Sequence, residues 1–301
     1  MNYRLLGIFL LSFTLCTKLI GATERDFSQK NKRYTLSVCA VVKNEANYLK
    51  EWIEFHRIIG VDHFYLYNNN STDLLEAALK SYIRKGIVTL INWPDFLKSN
   101  EEQDRYWPLS TQIPAYENAI KFRAIKTTKW LALLNTDEYL VPVNSYSIKE
   151  LLNQYDSYPA IILTTDVFDG SNVNLFPQKK LLIESRDLIK SPDQGSIRRF
   201  TKIILKPQLC EGFDWAPYKV LFKNDQHPIA LKKSDMRVNC YANRDKLFID
   251  TLKHRLYLDT KEMPASEISA LLDQGYSIED QEQIIFRYLP ELQRQCLGGN
   301  P

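Results

Sequence analysis

Lys129-Trp130-Leu131-Ala132-Leu133-Leu134-Asn135-Thr136-Asp137-Glu138-Tyr139-Leu140-Val141-Pro142 is the segment on which the architecture turns. An apolar run long enough for one strand stops at two adjacent carboxylates. The chain then becomes apolar again and ends at a proline. A run of this kind suits a strand covered on both faces, the situation of a parallel sheet in an α/β protein. Ligands of such sheets bind outside the carboxyl ends of the strands. Asp137 and Glu138 stand at that position, and carboxylates there can hold a hard divalent cation against a phosphate-bearing substrate. A polar turn between two buried strands carries the same residues, so the flanking sequence has to discriminate.

Upstream the pattern alternates. Leu36-Ser37-Val38-Cys39-Ala40-Val41-Val42 is a second near-continuous apolar run and reads as a strand buried on both faces. Leu49, Trp52, Ile53, Phe55 and Ile59 follow at helical spacing, which predicts a helix over 46–59 closed by Gly60. Residues 61–67 return as a strand. Asn68-Asn69-Asn70-Ser71-Thr72-Asp73 is a polar turn whose end can cap a helix over 74–84, with Gly86 closing it. Residues 87–91 make a third strand. Residues 95–114 are irregular, and a helix over about 115–127 leads into the strand ending at Asn135. Strand and helix alternating at this spacing imply right-handed crossovers and a parallel sheet.

The polar turns then fall into one set. Glu45 follows the first strand; Asn68, Asn69 and Asp73 follow the second; Asn135, Asp137 and Glu138 follow the later one. All sit at carboxyl ends of strands and share one sheet edge. A nucleotide across that edge would find amides and carboxylates for its base and ribose, with Asp137 meeting a diphosphate through a metal.

The ends and the composition set bounds. Met1–Arg4 give a short basic start, Leu5–Leu15 are almost all apolar, and Gly21-Ala22 offers a cleavage point. Residues 1–22 read as a secretory signal peptide, with a short membrane anchor as the rival, and 23–34 as a polar linker. The expected location is therefore exported or membrane-associated. Roughly 270 residues remain, enough for one domain over 35–297. A formal charge of +3 is too small to suggest a nucleic-acid partner. The five cysteines, at 16, 39, 210, 240 and 296, show no CxxC spacing, so no structural zinc site is indicated.

Several segments together are specific. Cys39-Ala40-Val41-Val42-Lys43-Asn44-Glu45, Glu51 to His56, Gly60 to Tyr65, Tyr67 to Asp73, then Gln112, Tyr116, Asn118, Trp130 to Pro142, Lys206-Pro207, Val238 to Tyr241 and Asp280 to Leu297 resemble glycosyltransferase family 92 and similar family-2-like enzymes. The series covers nearly all of the chain after residue 34. The resemblance implies an α/β GT-A fold, a Rossmann-like and mostly parallel sheet flanked by helices. It implies transfer of a sugar from a nucleotide-sugar donor, a UDP-sugar foremost, to a hydroxyl of a glycan or glycoconjugate acceptor. It also implies a divalent metal, Mn2+ or Mg2+. Two positions depart from the family pattern. Asn135 stands where the family tends to have the first Asp of Asp-x-Asp-Glu, and Cys240 where it tends to have His in Asn-His-Tyr. Asparagine can bind a ribose hydroxyl but gives a metal no charge, and a thiolate is soft and prefers other metals to manganese or magnesium.

Roles follow from the chemistry. Asp137 is the expected metal ligand, with Glu138 supporting it and Cys240 at the late ligand position. A base is needed if the anomeric centre inverts. Asp169, in Phe168-Asp169-Gly170-Ser171, and Asp214, in Gly212-Phe213-Asp214-Trp215, are candidates; each also reads as a surface turn. Lys202, Lys206, Arg198 and Arg199 could neutralise phosphate or form a solvated basic edge. His56 and His63 read as packing or surface residues. The alternative function is a catalytically inactive, sugar- or nucleotide-binding relative, suggested by the same two departures.

Overall fold

Strand β1 (Tyr34–Val42) is central because both of its faces are covered. Its side chains alternate between two cores. Leu36, Val38, Ala40 and Val42 enter one, built with helices α1 (Ala46–Ile58) and α2 (Leu75–Arg84). Cys39 and Val41 enter the other, against helix α3 (Ile113–Asn118). A near-continuous apolar run is what two covered faces demand. The structure is a computed structural model, and it describes residues 32–94, 108–169, 181–184, 189–190, 201–214, 216–243 and 284–298. The expected signal or anchor over 1–22, and most of the linker, lie outside the described residues. Among the described residues no helix is long and apolar enough to cross a membrane.

β1 pairs in parallel with β2 (His63–Asn68) on one side and β4 (Thr128–Leu133) on the other, and β2 pairs in parallel with β3 (Val88–Asn92). The carboxyl ends of β1, β2 and β4 therefore share one edge. Beyond β4 the sheet is mixed. β8 (Thr201–Leu205) runs antiparallel to β4 and to β6 (Ala160–Asp169), β12 (Met236–Asn243) runs parallel to β6, and β5 (Glu138–Pro142) closes the row antiparallel to β12. The order is β3-β2-β1-β4-β8-β6-β12-β5; β7 (Ile189–Lys190) and β11 (Ile229–Ala230) also pair with β6. A separate hairpin joins β9 (Cys210–Phe213) to β10 (Val220–Phe222). The molecule is thus α/β of GT-A type, with parallel pairing concentrated in the first half of the sheet.

Local limits differ from the expected ones. β2 opens at His63 because Asp62 is held back: its Oδ2 accepts from the N–H groups of Thr35 and Leu36. Helical turns begin at Pro108 rather than near 115, with π-wound turns over Pro108–Gln112 and Ala119–Ala124 on either side of α3. Pro114 lies in the first turn of α3 and has no N–H to give the preceding turn, which suits a change of winding there. Helix α4 (Ile148–Gln154) is capped by Ser147, and α5 (Leu289–Leu297) packs on α1.

Candidate active site

The β4–β5 turn is tied from four directions. The Asn135 N–H donates to Glu138 Oε2 at 2.8 Å, and its amide nitrogen lies 3.3 Å from Glu138 Oε1. Gln112 donates to Asn135 Oδ1 at 2.9 Å. The pairing of Leu133 with Ile203 brings β8 alongside, so Lys202 reaches Glu138 Oε1 at 2.7 Å. On the far side the Tyr241 N–H donates to the Asp137 carbonyl at 2.9 Å, and Cys240 stands opposite Glu138 in the β5–β12 ladder. Cross-strand partners share a face, which is why a cysteine 102 positions along the chain meets these carboxylates.

Asp137, Glu138 and Cys240 are all buried, and one ligand atom from each lies within 4.8 Å of the others. Cys240 Sγ lies 3.9 Å from Asp137 Oδ2. Asp137 Oδ1 is buried with no hydrogen-bond partner among the described residues. Burial pushes the Glu138 carboxyl above the ordinary carboxylate range; Lys202 pulls against that shift and Asp137 adds to it. Beside the turn is a cleft lined by Gln112, Tyr116, Asn135, Lys202, Pro217 and Tyr218, among others. Polar groups thus meet in a small hollow at the carboxyl end of β4.

Of the other expected residues, Asn68, Asn69 and Asp73 hold loops together along the shared edge. The Asn68 Oδ1 accepts from the Ser71 N–H and closes the turn after β2. Asn69 is fully buried and ties three strand ends, its N–H to the Val42 carbonyl and its amide to the Trp93 carbonyl. Asp73 is exposed and accepts from the Ala46 N–H, so it caps α1 from the neighbouring loop. Glu45 is buried at the start of α1. Asp214 is exposed in the turn that carries Pro217 and Tyr218 to the cleft. Asp169 ends β6, and its side chain lies outside the described residues, as do Arg198 and Arg199.

A resident cation can be tested against these groups. Asp137 fits, because a buried carboxylate oxygen without a partner is costly unless a cation or water satisfies it. Cys240 fits by distance and brings a soft donor. Glu138 fits as a third donor, and second oxygen, whose charge is already shared with Lys202. Asn135 does not fit, since Gln112 and Glu138 occupy its amide.

Residues 32–267 match the family model of glycosyltransferase family 92. The chain belongs to glycosyltransferase family 92. A family 92 protein of Oryza sativa subsp. japonica is 29% identical over 133 residues, 44% of this chain and 20% of that protein. One of Ricinus communis is 23% identical over 206 residues, 64% of this chain and 32% of that protein. These matches therefore span less than a third of the relatives' own lengths. Among solved structures, residues 1–349 of Staphylococcus aureus TarS are 15% identical, with 85% of this chain and 70% of that one covered and a TM-score of 0.42. Mycobacterium tuberculosis glucosyl-3-phosphoglycerate synthase, solved with Mn2+, UDP and glucosyl-3-phosphoglycerate, is 16% identical, with 89% and 81% covered and a TM-score of 0.33.

In this family 92 chain some side chains depart from their sequence reading. Lys202 forms no solvated edge; it is mostly buried against Glu138. Lys206 is buried in internal contacts: it lies over the Trp130 ring at 4.8 Å and pairs with Asp156 at 3.0 Å. Asp166 and Arg237, which carried no reading in the sequence, form a buried polar row with Asn239 of the Asn-Cys-Tyr segment. Its signal was a charged residue inside each of two apolar runs, and only the β6–β12 register joins them.

Proposed function

We propose that this chain transfers a sugar from a nucleoside-diphosphate donor, a UDP-sugar foremost, to a hydroxyl of a glycan or glycoconjugate. The observation that carries the reading is the buried, unpartnered Asp137 Oδ1 at the carboxyl end of β4, beside the cleft bearing Lys202. Negative charge develops on the departing diphosphate, and groups fixed in a water-poor site stabilise it best. Lys202 would supply one positive charge there, held in place by Glu138. A bound divalent cation would supply the rest of that neutralisation, held by Asp137 with Cys240 and Glu138 around it. Asp214 is the acceptor-side base consistent with its place on the hairpin, and Asp169 is the alternative.

The test is calorimetric titration of the full chain with UDP and GDP, with and without a divalent cation, followed by donor hydrolysis. Binding of UDP with turnover is the expected result; binding of neither nucleotide would overturn the reading. A second reading rests on Asn135. Its amide is enclosed by Glu138 and Gln112 where the family pattern has a charged ligand. A protein that binds nucleotide tightly and never turns it over would be the inactive relative.

A further inference from the structure

We infer that Asp137, Glu138 and Cys240 form a mixed sulfur–oxygen site selective for a borderline-soft divalent cation, zinc or cobalt, over manganese and magnesium. The inference rests on the proposed reading for the identity of the site, and on this chain's own donor atoms for the choice of metal. Three side chains from two distant points of the chain, the β4–β5 turn and β12, are buried with one ligand atom from each within 4.8 Å of the others. Asp137 Oδ1 is buried and without a hydrogen-bond partner among the described residues, an acceptor of the kind that a bound cation or water satisfies.

Distance and charge then select the metal. Zinc–sulfur and zinc–oxygen bonds of about 2.3 and 2.0–2.2 Å set sulfur and oxygen roughly 3.5 Å apart in a tetrahedral site. Cys240 Sγ and Asp137 Oδ2 are 3.9 Å apart, within a small movement of that separation. Three protein donors leave a fourth position open, as in catalytic zinc sites, and a diphosphate oxygen can take it. Binding forms a metal–sulfur bond and sends the thiol proton to solvent. Asp137, Glu138 and the thiolate, offset by Lys202, then leave two net negative charges against a dication. Magnesium requires near-octahedral oxygen coordination, and sulfur is a poor ligand for it and for manganese.

The experiment uses the full chain, stripped with a chelator and kept reduced. Cobalt is added and the near-ultraviolet thiolate-to-cobalt charge-transfer band is read; zinc and manganese affinities follow by competition with a chromophoric chelator. The expected result is a band that Cys240→Ser abolishes, although Cys16, Cys39, Cys210 and Cys296 remain, and zinc bound more tightly than manganese. Cys240→Ser should weaken zinc by more than the roughly 10- to 100-fold lost with a merely supporting partner. Asp137→Asn should weaken zinc and manganese alike. Thermal melts of the metal-free variants establish that each is folded. If the band is absent, if it survives Cys240→Ser, or if manganese binds more tightly than zinc to the unaltered chain, the inference is overturned. UDP is titrated on the same samples. UDP binding without the band sinks this inference and leaves the transferase reading standing; the band without nucleotide binding does the reverse.

Discussion

At the residue scale, Asp137 carries a conflict between stability and chemistry. A buried carboxylate oxygen left without a partner costs about 1–3 kcal/mol. Asp137→Asn removes the charge and keeps the shape, so the metal-free variant should melt higher than the unaltered chain while losing donor turnover. Differential scanning calorimetry and a donor-hydrolysis assay check both halves; a lower melting temperature would show that Asp137 is already satisfied. Lys202 and Glu138 give the opposite case. Lys202→Met leaves Glu138 buried beside Asp137 without its counter-charge, which should cost about 3–5 kcal/mol. Adding Glu138→Gln should recover most of that loss. Urea unfolding of the two single variants and the double variant measures the coupling, and additive losses would refute a buried ion pair.

At the element scale, β5 shows how a sheet edge is protected. It is the last strand of the row, and unpaired edge groups invite association with other strands. Two side chains of α1, one turn apart, take the place of a neighbouring strand: Trp52 donates to the Glu138 carbonyl at 2.8 Å, and the Leu140 N–H donates to His56 Nε2 at 3.2 Å. That bond requires the His56 proton on Nδ1, where it donates to the Trp52 carbonyl at 2.8 Å. Burial lowers the His56 pKa to about 4, against an unfolded value of about 6.5. Below pH 6.5 the unfolded chain therefore binds a proton that the folded chain refuses. Stability is full above that pH and is lost as pH falls towards 4, by up to about 3 kcal/mol from His56. His63, also lowered to about 4 chiefly by burial, adds in the same direction. Melting temperature should thus drop across this window, and His56→Phe should flatten the slope while lowering stability at pH 7. An unchanged slope would place the acid lability elsewhere. In the sequence His56 was legible only as a packing or surface histidine. Its spacing from Trp52 was visible, but the strand edge it serves was not, because β5 becomes an edge only through its long-range pairing with β12.

At the scale of the whole molecule, the same division separates what could be read from what could not. The parallel half, β3-β2-β1-β4, was legible because each step is a local apolar run followed by a helix. The mixed half was not, because β8, β6, β12 and β5 pair across long separations that periodicity does not encode. The site straddles this seam: Asn69 and Asp73 close loops on the parallel half, with Glu45 buried at the start of α1, while Asp137, Glu138 and Cys240 meet at the β4–β5 turn and β12. A nucleotide lying along the shared edge would present its nucleoside to the first half and its diphosphate to the second. The two halves should then respond separately to substitution. Asp73→Ala removes a helix cap worth about 1 kcal/mol and should weaken uridine and UDP by similar factors. Asp137→Asn should leave uridine unchanged and weaken UDP in the presence of a divalent cation by tenfold or more, about 1.4 kcal/mol. Parallel calorimetric titrations of uridine and UDP decide the matter. If Asp137→Asn weakens uridine as much as UDP, Asp137 supports the nucleoside or the fold of the cleft, and the diphosphate lies elsewhere.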